Sequence, residues 1–559
     1  MKFRSSEILS DPVFTENRAL YKSMGFSDED LKGPLIGIAN SWNELVPGHY
    51  NLRNLSEFVK KGIYRAGGMA LEFGVIGACD GQACGHIGMK YVLPTRDLIA
   101  CDIEAMAEAH RLDGIVLLGS CDKIVPGMLM AAARLGIPAI LLVGGPMAGG
   151  VSFDGRKSDS TSVSEAVGML SAGRITKETL SMLEDNAAPS CGSCSYYGTA
   201  NSMGCAAEAM GMSLTGSSLI PATASERFRA GEMTGIKIVE LVKKGITARD
   251  IITRNSIENA AKIMVATGGS TNTFIHLSAI ANEIGTDPET MMDIYDRASE
   301  RIPSIAMVNP ASCYDMEDFY RAGGIPRVMK ELGEDIDLSC MTVTGKSLGE
   351  NLEAWSDPFG IDRRVIRTKE DPFGRSGGLA VLRGNLAPGT GITKPIAMDP
   401  SMYFFSGPAR VFECEEDANE AILAGKIKEG DVLVIRYEGP KGGPGMREMY
   451  FAMKLLYGRG LAKKTAIITD GRFSGTNNGC FVGHISPEAA EGGPIAAVRD
   501  GDIITIDIKN KRLDVDLSPE ELETRLKEWE RPPQEELKGI LAIYAKLAAS
   551  AAEGGMMKI

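Results

Sequence analysis

Hydrophobic and polar positions along this chain separate helices from strands. From Asn51 to Arg65, NLRNLSEFVKKGIYR carries apolar side chains at helical spacing and stops at Gly67-Gly68, which predicts a helix. A short apolar run, Phe73 to Ile76, leads into ACDGQACGHIGM, and residues 97–110 read as another helix. The clearest unit comes next. LDGIVLLGS (112–120) is uninterrupted enough for a strand buried on both faces, CDKIVPGMLMAAARLG (121–136) is a turn and a helix ended by glycine, and IPAILLVGG (137–145) is a second strand. This spacing predicts a right-handed βαβ unit with parallel strands. It sets Cys121, Asp122 and Lys123 just past the carboxyl end of a strand, where open α/β sheets usually keep their chemistry.

Residues 150–190 hold a polar stretch, FDGRKSDSTS, expected to be mobile, and then a helix. In SCGSCSYYGTANSMGCAAEAMG the second half, Ala200 to Met210, is helical, so Cys191 and Cys194 fall in the loop feeding that helix. The stretch 225–300 is helix-rich, with GGSTNT (268–273) as a turn that either offers backbone amides to an anion or simply packs tightly. Glycine and proline then gather in EDPFGRSGGLAVLRGNLAPGTG, the candidate domain boundary, giving domains 1–370 and 371–559. Beyond it DVLVIRYEG, GPGMREMYFAMKLLYG and KKTAIITDG repeat the strand, helix, strand pattern. Glu448 is predicted in the first turn of that helix and Ser474 in the loop after the second strand. DIITIDIKN and RLDVDLS alternate like half-buried strands, and residues 523–559 read as a helix interrupted at Pro532-Pro533 and an alanine-rich one.

Composition narrows the function classes. At roughly 150 residues per domain, 559 residues suggest three or four units, or fewer large ones. A hydrophobic share of 44% with 24% charged residues is too apolar for a disordered chain. A net charge of -13 with no basic block argues against nucleic acid as a partner, but leaves room for a small anion held by a metal or a local cation. The opening MKFRSSEILSDPVF lacks the apolar core of a secretory signal, and the apolar stretch Ile137–Gly150 is broken by proline and glycine and too short to span a bilayer. No membrane association is expected, and the cytoplasm is the expected compartment. There, 11 irregularly spaced cysteines suggest metal or cluster ligation rather than disulfides.

Three constellations carry candidate chemistry. Asp80, Asp122 and Glu448 sit beside glycines or at element ends, as carboxylate ligands of a hard cation such as Mg²⁺ would, although most such residues are turn formers. Cys79, Cys84, Cys121, Cys191 and Cys194 flank glycine-rich loops, and iron–sulfur clusters are held by thiolates. Cys191-Gly-Ser-Cys194 alone equally suits a redox pair, zinc, or no site. Cys101, Cys205, Cys313, Cys340, Cys414 and Cys480 are expected to be small buried hydrophobes. In TDGRFSG (469–475), Ser474 is either an activated hydroxyl or a turn former. His86 and His484 lie in Gly-His pairs near these loops, while H-E-x-x-H, a P-loop and a convincing G-x-G-x-x-G are absent.

Taken together the motifs are specific. CDGQACGHIGM (79–89), GSCDKIVPGMLMAAARLGIPA (119–139), CGSCSYYGTANSM (191–203), GGSTNT, TVTGKSLGENL (342–352), GGLAVLRGNLAP (377–388), GGPGMREM (442–449), TDGRFSG and VGHISPEAAEGGP (482–494) resemble the dihydroxy-acid dehydratase family, which also contains phosphogluconate and sugar-acid dehydratases. The resemblance runs in order from about residue 33 to the C-terminus. It implies a large N-terminal α/β/α domain with a parallel sheet, a smaller C-terminal domain with a β-barrel-like core, and a homodimer or homotetramer. It also implies an iron–sulfur cluster beside Mg²⁺, with Asp80, Asp122, Glu448 and a carbamylated Lys123 on the metal. Cys121 and Cys194 match the cluster thiolates, with Cys191 ranked before Cys79 as a third, and Ser474 matches the base.

One departure divides the family. Members with a three-cysteine [2Fe–2S] site carry a cysteine in the segment that reads VPGHYNL here, where this chain has Gly48. The chain therefore looks like the VPGH branch with a CGSC segment, described as oxygen-sensitive with a [4Fe–4S] cluster, and both cluster types stay open. The chemistry implied is dehydration of a 2,3-dihydroxy acid to a 2-keto acid, Ser474 taking the C2 proton and an incompletely coordinated iron assisting departure of the C3 hydroxyl. Branched-chain substrates, 2,3-dihydroxy-3-methylbutanoate and 2,3-dihydroxy-3-methylpentanoate, rank first, for valine and isoleucine biosynthesis. A sugar acid is the alternative, suggested by SYYGTANSM and NPASCYDMEDF (309–319), which are atypical of the branched-chain enzyme. An inactive scaffold and a thiol-redox protein are the readings from other classes.

Overall fold

The computed structural model describes residues 3–476, 479–533 and 536–558. The N-terminal sheet contains β1 (Leu35–Asn40), β2 (Met69–Gly74), β3 (Gly114–Gly119) and β4 (Ala139–Val143), all parallel, in the order β2-β1-β3-β4. β1, β3 and β4 are buried along their whole length, which is why they read as unbroken apolar runs. The connection from β1 to β2 runs one way across the sheet and the later ones run the other way. Right-handed crossovers then place the helix Leu52–Arg65 on one face and the helices Pro94–Ala109 and Ile124–Leu135 on the opposite face. The helix Leu52–Arg65 packs on Ser225–Lys244 so closely that a Cβ on Gly62 would sit 2.0 Å from the Glu232 carbonyl. The strand order reverses between β1 and β3, and the loops leaving their carboxyl ends carry Gly48 and Cys121.

The polar stretch after β4 is ordered rather than loose. It forms a two-strand hairpin, β5 (Ser152–Phe153) with β6 (Arg156–Lys157), and the buried Asp159 then caps the helix Ser160–Ser171. Its polar side chains are taken up by the cap and by Arg156 on Glu165, a tertiary use that sequence polarity does not reveal.

The C-terminal sheet joins β7 (Ala380–Leu382), β8 (Thr390–Thr393), β9 (Phe404–Phe412), β10 (Val432–Ile435), β11 (Ala466–Thr469), β12 (Cys480–Ser486), β13 (Ile503–Asp507) and β14 (Arg512–Val515). Their order is β14-β13-β9-β10-β11-β12-β8-β7, with a parallel centre, β9 to β12, and antiparallel flanks. A bridge between Arg383 and Arg512 brings the two edges together, so the sheet curls into a near-barrel. The predicted β10–helix–β11 unit is present, but its helix spans Tyr450–Gly458, and Glu448 lies before it rather than in its first turn. The Met449 amide donates to the Arg472 carbonyl at 2.8 Å and so is held outside the helix. In the tail, the helix Pro519–Glu528 ends before the prolines. The last helix, Gly539–Leu547, packs back on the N-terminal domain, where Arg96 donates to the Gly554 and Gly555 carbonyls.

Candidate active site

Loops from both sheets enclose a cavity of ≈ 290 Å³. The first domain supplies Gly48, Cys79, Asp80, Cys84, Cys121, Asp122 and Cys194, and the second supplies Glu448, Tyr450, Phe451 and Ser474. Carboxylate oxygens of Asp80, Asp122 and Glu448 all lie within 4.8 Å of one another. Residues separated by more than 300 positions thus converge at one point. Asp80 opens a four-residue helix after β2, and Asp122 stands in the turn after β3. Glu448 is fixed by its bridge to Arg472.

Two buried cations serve these three acids. Lys123 Nζ is 2.9 Å from Asp80 Oδ2, 3.7 Å from Asp122 Oδ2 and 3.8 Å from Glu448 Oε1. The Arg472 guanidinium reaches Asp80 Oδ2 at 3.3 Å and pairs with Glu448 Oε1. Burial opposes the charge on Asp80, yet Lys123 and Arg472 together hold its carboxyl below the usual range. Asp122 behaves in the opposite way, pushed up to about 7 by burial and then by the charge of Asp80. Asp80 Oδ1 is buried and, among the described residues, has no hydrogen-bond partner. That oxygen is therefore free to accept a ligand.

Thiols line the same cavity. Cys79, Cys84, Cys121 and Cys194 line it, and Cys191 is not among its lining residues. Burial pushes the Cys79 thiol up to about 11, and burial together with the charges of Cys79 and Cys194 raises Cys121. Cys121 has φ 64°, a strained value for a non-glycine residue that turns its side chain out of the end of β3. A Cβ on Gly48 would lie 2.5 Å from Cys121 Sγ, so a side chain at position 48 would face this sulfur directly. His49 braces the same loop, its ring nitrogens 2.8 Å from the Ser41 carbonyl and 2.9 Å from that of Ser120.

Ser474 lies at the cavity edge, 9% exposed. Two buried lysines hold its loop, Lys394 Nζ donating to the Gly475 carbonyl at 2.8 Å and Lys454 Nζ to the Thr476 carbonyl at 2.9 Å. The GGSTNT turn follows its packing reading, since the Ser270 amide donates to Ser202 Oγ and the Asn272 amide to Ser270 Oγ. Sequence reasoning missed two residues inside motifs it had singled out. Arg472 of TDGRFSG is the counter-charge of Asp80 and Glu448, and Asn272 of GGSTNT donates to Glu448 Oε1 at 2.8 Å. The signal available was an arginine and an asparagine held in apolar, glycine-rich surroundings. Cys101 and Cys313 are exposed, against the expectation of burial, whereas Cys205 and Cys480 are buried as expected. His484 is buried, and His86 is exposed.

A parallel α/β domain and a near-barrel domain thus meet over one cavity lined by carboxylates, thiols and a hydroxyl. Family models agree. Residues 33–351 match the dihydroxy-acid/6-phosphogluconate dehydratase N-terminal model, and residues 364–555 match its C-terminal counterpart. The chain belongs to the dihydroxy-acid/6-phosphogluconate dehydratase family. It is 52% identical over 543 residues to the dihydroxy-acid dehydratase of Caldicellulosiruptor saccharolyticus, covering 97% of each chain. It is 51% identical over 544 residues, again covering 97% of each chain, to the enzymes of the same name from Acetivibrio thermocellus and Pyrococcus furiosus. Among the described residues no helix is long and apolar enough to cross a membrane.

Proposed function

We propose that this chain is a hydro-lyase that converts 2,3-dihydroxy-3-methylbutanoate and 2,3-dihydroxy-3-methylpentanoate to their 2-keto acids in branched-chain amino-acid synthesis. The observation that carries this reading is the meeting of Asp80, Asp122 and Glu448 with four thiols and Ser474 in one cavity. The acid set fits Mg²⁺, because its oxygens converge and Asp80 Oδ1 lacks a partner. Lys123 would join it as a carbamate. As an ammonium it competes with a cation for the same three acids, and CO₂ on Nζ turns it into an anionic oxygen donor. Cys121 and Cys194 would hold an iron–sulfur cluster with Cys79 as the third thiolate; Cys79 and Cys84 share the cavity with them and Cys191 does not line it. When bound, Mg²⁺ and the cluster supply Lewis acidity toward the substrate carboxylate with its C2 hydroxyl and toward the C3 hydroxyl.

The protein's own groups do the rest. Ser474 Oγ, ionised to its alkoxide, would receive the C2 proton, and the Lys394 and Lys454 bonds to the Gly475 and Thr476 carbonyls hold its loop. Arg472 and Asn272 fix the rotamer of Glu448. Met147, Tyr196, Tyr450 and Phe451 give an apolar wall for the C3 methyl or ethyl group. The Tyr450 hydroxyl is engaged by Ser164 Oγ at 3.1 Å. Among the described lining residues there is no Lys, Arg or His, so the phosphate of 6-phosphogluconate would find no counter-charge there. That favours the branched acids over the sugar acids.

The same reading includes a division at residues 370/371, a homodimer or homotetramer, and the cytoplasm, for which the absence of disulfides among the cysteines speaks. The experiment is turnover of anaerobically purified protein with Mg²⁺ on both branched acids, D-gluconate and 6-phosphogluconate. A kcat/KM at least about a hundredfold higher for a branched acid supports the reading, and a sugar acid in front overturns it.

A further inference from the structure

The two lysines behind Ser474 are alike in what they hold and differ in what balances them. Lys454 Nζ donates to the Thr476 carbonyl at 2.9 Å and, at the same distance, to Glu165 Oε1, a carboxylate it shares with Arg156. Lys394 Nζ donates to the Gly475 carbonyl at 2.8 Å, one residue past Ser474, and among the described residues no carboxylate pairs with it. Lys394 is 1% exposed. It leaves the end of β8, where Thr393 Oγ1 donates to the Phe481 carbonyl at 2.6 Å and Pro395 follows, so a fixed backbone delivers the ammonium. The loop it reaches has no room to move away, since a Cβ on Gly475 would meet Ser270 Cβ at 2.8 Å and Gly198 Cα at 3.0 Å. The other charged groups around these segments are matched. Arg472, two residues before Ser474, faces Asp80 and Glu448, and Asp399, beyond the turn after Lys394, is taken by Lys463 at 2.8 Å.

We propose that Lys394 is the counter-charge of the Ser474 alkoxide, its buried ammonium favouring the ionised form of the base one residue away. The inference rests on the reading of Ser474 as the base. A buried ammonium carries a desolvation cost that a nearby negative charge offsets. Burial, and then the charge of Lys454, push Lys394 down to about 7, in keeping with a cation that lacks its anion. In the proposed reaction that anion arises at Ser474 Oγ. The Ser474 hydroxyl loses its proton to water, the alkoxide takes the C2 proton and becomes a hydroxyl again, and no further reactant is needed. Lys394 is not among the residues that line the cavity, so it acts through Ser474 and is a positioning residue. Lys454, already balanced by Glu165, holds the same loop without supplying net charge.

The test is the pH profile of kcat/KM on 2,3-dihydroxy-3-methylbutanoate, measured with holoenzyme prepared without oxygen. Lys394→Met removes the charge and keeps a chain of similar length. It is expected to move the acid limb up by about one pH unit, which lowers kcat/KM about tenfold on that limb, with iron content at the wild-type level. Lys454→Met removes the neighbouring bond to the same loop, and is expected to lower kcat without moving the limb. Should Lys394→Met fail to fold, Lys394→Gln, uncharged and still able to donate to the Gly475 carbonyl, carries the test with the same shift. An unmoved limb in the uncharged variant, or an equal shift in Lys454→Met, overturns the proposal. A Ser474→Ala enzyme with wild-type kcat overturns the base reading instead.

Discussion

The two walls of the cavity are built on opposite electrostatic plans. On the carboxylate wall, Lys123 and Arg472 stand inside the acid cluster, and Asp80 is held in its charged form before any metal arrives. Around the sulfurs, burial raises every thiol that lines the cavity, and the nearby carboxylates add to the effect. The lesson concerns assembly. On the oxygen side Asp80 is charged beforehand, but Asp122 is pushed up to about 7 and Lys123 still stands among the acids; on the sulfur side the proposed cluster would draw protons from the buried thiols as it binds.

The largest effect that sharpens this contrast falls on the sulfur side. Cys79→Ser and Cys121→Ser are each expected to abolish visible cluster absorbance and turnover, while Cys191→Ser keeps both. Iron retained in Cys79→Ser would return the third thiolate to Cys191. On the oxygen side, Asp80→Asn is expected to cut kcat by about a thousandfold or more while iron content stays at the wild-type level. Iron lost together with activity would show that the walls are not independent. Ser474→Ala should lower kcat by about 10²- to 10⁴-fold with both metals in place, as loss of a proton acceptor does, and a retained kcat removes it from that role.

The smallest predicted effect is on stability, behind the oxygen wall. Burial pushes Glu438 up to about 8 and Glu415 up to about 7, each opposed by Arg447. Their folded values lie above the unfolded one near 4, so between roughly pH 4 and 8 the folded chain holds more protons than the unfolded chain. Stability therefore falls as pH rises through that window. The urea midpoint should drop between pH 6 and 8.5, and Glu438→Gln should flatten the drop. An unchanged slope in that variant rules Glu438 out as a source.

Much of this architecture was legible in the chain. The unbroken apolar runs 112–120 and 137–145 became parallel strands, because a strand covered on both faces has no polar side to show. Asp80, Asp122 and Glu448 were marked by glycines and element ends, and folding brought them together. What was not legible depends on partners distant in sequence. Glu448 left its helix because Arg472 takes the next amide. The polar stretch at 152–160 gained order from an N-cap and from Glu165. Which cysteines share the cavity with Cys121 depends on loops distant in sequence, and no spacing rule contains that information.

In the proposed reaction one cavity needs both an oxygen-held divalent cation and a sulfur-held cluster to dehydrate a branched dihydroxy acid. Its most direct test is 2-keto acid formation from 2,3-dihydroxy-3-methylbutanoate by anaerobically purified protein, as Mg²⁺ is chelated and then restored while bound iron is counted. The account predicts that turnover vanishes and returns with Mg²⁺ at constant iron. Undiminished turnover without Mg²⁺, or no product with both metals bound, would contradict it.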